Sequence, residues 1–340
     1  MAVSHETALN LSDTIIDMSK NWQAELAEGF ATVHELFGYL GLAAAFSPEA
    51  AQRFPFRVPR AYALRMRPGD PHDPLLRQVL PIEEELASHH GFVSDPVGDR
   101  HALKAPGLLH KYRGRALLIT TGACAIHCRY CFRREFPYAE SQFTPQREKK
   151  ALDYLAVDTE LSEIILSGGD PLLLSDARLA HLIGQLAAIP HLRRLRIHTR
   201  VPLVLPSRME GRLLEILSGH RLQTVVVIHA NHPRELGGDV GGALAGMRDA
   251  GMTLLNQAVL LRQVNDSVQT LCDLSECLFD HGVLPYYLHL LDRVRGTAHF
   301  EVSEAEALEL HEALRRRLPG YLVPRLVREI EGQPYKQAVS

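Results

Sequence analysis

The sequence predicts an α/β fold built on a parallel sheet, preceded by an irregular, mainly helical N-terminal region. Three observations carry this expectation. Six short runs rich in Ile, Val and Leu recur between residues 116 and 291. Stretches with helical spacing separate them. Before residue 105 that rhythm is missing and prolines crowd instead. Strand and helix in regular alternation make a parallel sheet.

Helix formers dominate residues 21–42, and then Pro48, Pro55, Pro59, Pro68, Pro71, Pro74 and Pro81 follow. Prolines at that density break long elements, so residues 1–105 are expected to wind over a core. The six apolar runs are ALLITT (116–121), EIILSGG (163–169), RLRIHTR (194–200), TVVVIHA (224–230), LLNQAVLLR (254–262) and LPYYLHLL (284–291). They read as strands buried on both faces. Helices are expected at 147–156, 176–188, 208–217, 241–250, 268–279 and 303–317. Leu179, Leu182, Ile183 and Leu186 form one apolar face, and Leu308, Leu310 and Leu314 another. The expected division is 1–105, then a strand–helix domain at 106–322, then a segment at 323–340. Periodicity does not separate a barrel from a doubly wound sheet. In both, ligands gather at the C-terminal ends of strands.

Composition narrows the function classes. The 340 residues are 46% hydrophobic and 23% charged, with net charge -3. No global basic field points to nucleic acid or an acidic membrane. No apolar run approaches the ~20 residues of a membrane span. MAVSHETALNLSDTIID has no basic start followed by an apolar core, so a cytoplasmic location is expected.

Three of the five cysteines, Cys124, Cys128 and Cys131, fall in C-x3-C-x2-C at the end of the first predicted strand. Three thiolates suit iron–sulfur or zinc. Structural zinc usually takes four protein ligands, and Cys272 and Cys277 lie far away in a predicted helix. A [4Fe–4S] cluster on three thiolates leaves one iron open to a chelating ligand. The other reading is a zinc knuckle completed by His127 or a distant residue, in a non-catalytic binding protein.

The cysteine spacing, with Tyr130 before the last cysteine, resembles the radical S-adenosylmethionine superfamily. A Gly-Gly-acid turn after the second strand accompanies it there, and Gly168, Gly169 and Asp170 stand in that place. The phrases IHTRVPLVLPSR, IHANHPREL, LNQAVLLRQVND, LPYYLHLLD and VPRLVREIEGQPYK are similar to lysine 2,3-aminomutases over roughly residues 100–336. This resemblance implies a partial (β/α)6 TIM-like barrel of the radical SAM type. It implies a [4Fe–4S] cluster, S-adenosylmethionine and pyridoxal 5'-phosphate as cofactors, and L-lysine as substrate. An electron donor such as flavodoxin or ferredoxin is implied with them.

Residue by residue, the resemblance puts the pyridoxal on Lys336, the one lysine in the last 190 residues. An amine is the group a pyridoxal aldehyde needs. It puts Lys111, Tyr112 and Arg115 at the cofactor, with Lys111 standing where an arginine is expected. A surface KYRGR loop is the other reading there. Arg133 is implied at the substrate α-carboxylate, which a guanidinium meets with two parallel hydrogen bonds. Its neighbour Arg134 has the same chemistry. His229, Asn231 and Gln257 fall on the S-adenosylmethionine side. Asp292 and Glu329 are implied at the distal ammonium, an arrangement that disfavours a glutamate substrate. A surface ion pair of Glu329 with Arg325 or Arg328 is the other reading. The compact tail, with REIEG before Lys336, resembles the branch of the family that makes (R)-β-lysine. In that branch a separate ligase attaches the product to elongation factor P.

Overall fold

Each of the six apolar runs is a strand in the computed structural model, which describes residues 21–43, 45–138 and 144–340. The opening stretch read above for a secretory leader lies outside the described residues. In chain order the strands are β1 (Leu103–Ala105), β2 (Leu108–Tyr112), β3 (Arg115–Thr121), β4 (Glu163–Gly168) and β5 (Arg194–Thr199). They continue with β6 (Gln223–Ile228), β7 (Thr253–Val259), β8 (Leu284–His289), β9 (Arg325–Arg328) and β10 (Gln337–Ala338). They form one sheet whose spatial order equals the chain order. From β3 to β9 every neighbouring pair is parallel, and antiparallel hairpins finish both edges. β1 and β10 each have one neighbour, so the barrel is partial.

The expected six strands are thus extended by a seventh parallel strand, β9, and by three short edge strands. β9 is only four residues, too short to show a period, and its identity comes from pairing with β8. The strands also depart from the expectation of burial on both faces. β4 is buried almost throughout, whereas β5 and β7 alternate. Leu117, Arg196, His198, Gln257 and Tyr287 are half-buried because they line a cavity in the barrel mouth.

The helices begin where the sequence supplies caps. The N-terminal region holds α1 (Trp22–Ala27), α2 (Val33–Leu40), α3 (Pro48–Arg53), α4 (Arg60–Ala63) and α5 (Pro74–Arg77). Ser47 caps α3 and Asp73 caps α5, each followed by proline in the first turn, where its missing N–H costs nothing. Outside the sheet lie α6 (Pro145–Val157), α7 (Asp176–Ala187), the short α8 (Val201–Val204), α9 (Gly211–Ser218), α10 (Val240–Asp249), α11 (Val268–Asp280) and α12 (Glu304–Arg317). Ser175 caps α7, and Ser303 with Glu306 forms a capping box on α12. The four predicted apolar positions of α7 are all buried. On α12 the buried residues are Ala307 and Leu314, while Leu308 and Leu310 are half-buried.

One apolar core runs through all three parts of the chain. Trp22, Leu36, Tyr62 and Leu75 join the same cluster as Leu166, Leu195 and Val339. The N-terminal region therefore packs as part of the barrel wall rather than as a separate body.

Candidate active site

A cavity of about 350 Å³ opens at the C-terminal ends of the parallel strands. Cys124, Cys128 and Cys131 line one end, on the loop leaving β3. That loop is fastened to the N-terminal region. The His127 and Arg129 backbone N–H groups donate to the Arg57 and Gln78 carbonyls, at 3.0 and 2.8 Å. Arg129, fully buried, donates to both Glu85 carboxylate oxygens at 2.8 and 2.6 Å and to the Ala50 and Phe54 carbonyls. The His127 ring bonds the Pro55 carbonyl at 3.0 Å and does not line the cavity, so it does not complete a knuckle. Cys272 and Cys277 lie on α11, away from this cavity.

The Gly-Gly-Asp turn sits directly against this loop. Gly168 has φ 118, open only to glycine. The Gly169 and Asp170 N–H groups donate to the Thr121 and Ala123 carbonyls, both at 2.7 Å. A Cβ on Gly169 would collide with the Ala123 carbonyl. Both glycines are thus required for the turn to press on the cysteine loop. The Asp170 carboxylate reaches the next strand end, accepting from Thr199 Oγ1 at 2.7 Å, the Arg200 N–H at 2.8 Å and the Leu172 N–H at 3.1 Å. Burial pushes Asp170 up to about 6 against these bonds, which pull it down.

The opposite end of the cavity is a chain of alternating charges. Arg133 Nε donates to Asp99 Oδ2 at 2.7 Å, and Arg133 Nη1 to Ser167 Oγ at 3.1 Å. Lys111 Nζ lies 2.6 Å from Asp99 Oδ1 and 2.8 Å from Glu329 Oε1. Glu329 Oε2 accepts from Lys336 Nζ at 3.0 Å. Burial alone would raise the Glu329 pKa, but the Lys336 and Lys111 charges hold it well below the usual carboxylate range. Asp292 faces the same end, and burial with the Glu329 charge pushes it up to about 7.

Several expected placements are refined by this geometry. Lys111, expected at the cofactor, is held by two carboxylates and the Val97 carbonyl. Arg115, stacked 4.6 Å over the Tyr112 ring, and Arg196 are the cations beside it on the cavity wall. Glu329 pairs with neither Arg325 nor Arg328; Arg328 pairs with Glu304. Arg134 turns to Glu85 at 2.7 Å, which separates it from Arg133. Lys336 faces inward because β10 pairs with β9, Gly332 turns the chain at φ 78 and Val339 is buried.

His229, Asn231 and Gln257 stand on the connecting wall. His229 Nε2 meets Gln257 Nε2 at 2.9 Å, and burial pushes His229 down to about 3, so it is neutral. The Asn231 amide is used within the fold, donating to Gln78 Oε1 at 3.0 Å and accepting from the Val259 N–H at 2.8 Å. Sequence reading passed over Asp99, Arg200, Glu235 and the ring pair Tyr286–Tyr287. Arg200 did carry a signal, since it stands at the C-terminal end of a predicted strand. Asp99 lies in a loop, and its partners Lys111 and Arg133 are 12 and 34 residues further along the chain.

The donor set fits the groups that the resemblance implies. Three half-buried thiols share one loop. Burial pushes the Cys131 thiol up to about 11, and bound iron would displace that proton. Among the described residues, His198 Nε2, His289 Nε2, Arg196 Nε and Tyr130 Oη are buried polar atoms without protein partners, all on residues lining the cavity. An amine, arginines and aromatic rings gather at the other end, as a phosphorylated aromatic aldehyde requires.

Residues 118–273 match the model of the Radical SAM superfamily. The chain is 48% identical over 321 residues to the L-lysine 2,3-aminomutase of Escherichia coli, covering 93% of this chain and 94% of that one. It is 44% identical to the enzyme of that name from Haemophilus influenzae, over 95% of this chain and 97% of the relative. To the one from Clostridium subterminale it is 34% identical, over 92% of this chain and 76% of the relative. With identity of that extent over more than nine tenths of this chain, the chain belongs to the lysine 2,3-aminomutase family of radical S-adenosylmethionine enzymes.

Proposed function

We propose that this protein converts L-α-lysine to β-lysine, the R enantiomer, by moving the amino group from C2 to C3, and that the product serves β-lysylation of elongation factor P. One observation carries the reading. A single cavity joins three cysteines and a Gly-Gly-Asp turn at one end to Lys336, Arg133, Asp292 and Glu329 at the other.

In this reading Cys124, Cys128 and Cys131 hold a [4Fe–4S] cluster, and the turn at Gly168–Asp170 with His229, Asn231 and Gln257 flanks S-adenosylmethionine. Pyridoxal phosphate, carried by Lys336, supplies the electron sink through which nitrogen migrates. Tyr112 and Arg115 bind it from β2 and β3, with Lys111 bracing the carboxylates beside it. Arg133 spends two of its five N–H donors on Asp99 and Ser167, and the others are offered to the substrate carboxylate. Asp292 and Glu329 take the distal ammonium, which displaces Lys336 from Glu329. The cavity wall would limit the access of water to the reacting groups. We keep the division at 105 and 322 as one of labour: the first part braces the cysteine loop, the barrel carries the strand ends, and 323–340 returns Lys336 to the mouth. A protein of the flavodoxin or ferredoxin class supplies the electron.

An anaerobic assay with lysine, S-adenosylmethionine, a reductant and pyridoxal phosphate, resolving β-lysine enantiomers, tests this. (R)-β-lysine is expected. No β-lysine from protein holding its full iron would sink the reading, and a different amino acid turned over in its place would favour another aminomutase specificity.

A further inference from the structure

We propose that Arg200 is a positioning residue for the cluster, setting through Cys128 how readily the cluster accepts an electron. The proposal rests on the reading of the three cysteines as cluster ligands. Arg200 follows β5 directly and is 6% exposed. Its Nη1 donates to Cys128 Sγ at 2.6 Å, and its Nη2 donates to Glu235 Oε2 at 2.6 Å. Its backbone N–H donates to Asp170 at 2.8 Å. The guanidinium also lies 5.6 Å from the Tyr62 ring and 5.9 Å from the Tyr130 ring.

Glu235 is itself fixed. It is fully buried, and its Oε1 accepts from the Asn231 N–H at 2.9 Å, the His232 N–H at 3.1 Å and Gln78 Nε2 at 3.1 Å. A carboxylate held by three other donors cannot follow the guanidinium, so the guanidinium points one way. The ion pair is neutral as a whole, but its positive member faces the sulfur. One-electron reduction adds negative charge to a cluster, and a fixed donor on a ligating sulfur favours the reduced state. Burial strengthens that effect. A residue that merely neutralised Glu235 would have no need of the sulfur.

The test is the midpoint potential of the reconstituted cluster, followed by electron paramagnetic resonance without S-adenosylmethionine, beside iron and sulfide content. In Arg200→Gln the ratio of reduced to oxidised cluster at a fixed poise should fall about tenfold, which is about 59 mV for a one-electron couple. Arg200→Lys, which keeps the charge but not the fork, should recover part of the loss. Glu235→Gln should shift the potential the other way. An Arg200→Gln variant with full iron and the wild-type midpoint overturns the proposal. If that variant takes up no iron, a wild-type midpoint in both Arg200→Lys and Glu235→Gln overturns it equally. Wild-type protein without a cluster would instead overturn the cluster reading on which it stands.

Discussion

The two ends of the cavity are held together differently. At the cysteine end the anchors are buried groups that no substrate needs: Arg129 on Glu85, backbone amides on carbonyls, Glu235 on four donors. At the lysine end the anchors are charges a substrate would use. Lys111, Glu329 and Lys336 have side chains 18%, 15% and 21% exposed, and each ion pair there has an alternative partner within reach. The first arrangement fixes a loop before anything binds. In the function proposed here, the second would store the cavity's charges on one another until a zwitterionic, dibasic substrate replaces them. The contrast suits the proposed occupants: a cluster needs rigid ligand spacing, while a reversible covalent cofactor and a charged substrate need partners that let go.

The largest effect should come from breaking the rigid end at its centre. Cys128→Ala removes one of the three proposed cluster anchors, and cluster and turnover should be lost while far-UV circular dichroism stays unchanged. Retained S-adenosylmethionine cleavage would contradict the assignment.

Next in size is Glu85→Gln. It leaves Arg129 and Arg134 without their shared carboxylate in a site where Glu85 is 1% exposed. Breaking a buried pair this way costs about 3–5 kcal/mol. Glu329→Gln leaves Lys111 on Asp99 and removes a partly accessible carboxylate, so it should cost less than Glu85→Gln. Urea midpoints of the two variants measure the contrast; equal losses would mean that the two ends are built alike.

Much of this was legible in the sequence because it is local. Strand and helix periods marked the six units to within a few residues, and the cysteines and the Gly-Gly-Asp turn each lie at the end of one of those strands, whereas Lys336 was placed by the resemblance. What was hidden is non-local. β9 and β10 are too short to show a period, and they exist through pairing. Glu85 with Arg129 and Arg200 with Glu235 are buried pairs 44 and 35 residues apart, and nothing in the intervening sequence announces them. Glu329 was read at the ammonium through the resemblance, and the alternative of a pair with its chain neighbours fails because in a strand successive side chains face opposite sides. Arg328 therefore points to Glu304 while Glu329 points into the cavity.

Asp292→Asn probes the exchangeable end directly. It keeps shape and removes a charge from the proposed ammonium site. Losing one partner of a buried charge contact costs about 2–5 kcal/mol, or roughly 30-fold and upward in kcat/KM for lysine. Affinity for S-adenosylmethionine should be unchanged, because its proposed contacts lie at the other end. An unaltered specificity constant for lysine would move the ammonium elsewhere.

The smallest effect is a pH dependence, and it separates the ends without mutation. Asp292 sits at about 7 because burial and Glu329 raise it more than Lys336 and Lys111 lower it, with Asp99 adding to the rise. It is therefore ionised above that pH and neutral below. A bound ammonium favours the ionised form, so lysine affinity should rise with pH up to about 7 and level off, each unit below costing at most about tenfold. Folding has the opposite sign. The folded value lies above the ordinary 3.8, so the native state binds the extra proton between them and stability falls as pH rises through that window. Asp292→Asn should flatten the lysine profile and make the protein more stable than wild type at neutral pH. Asp170, at about 6, belongs to the cysteine end, so any inflection it causes should survive in the variant. Lysine KM and urea midpoints measured from about pH 5 to about pH 8 check both signs. A lysine profile that keeps its inflection near 7 in Asp292→Asn would assign the titration to another group and leave the exchangeable end without its pH-sensitive member.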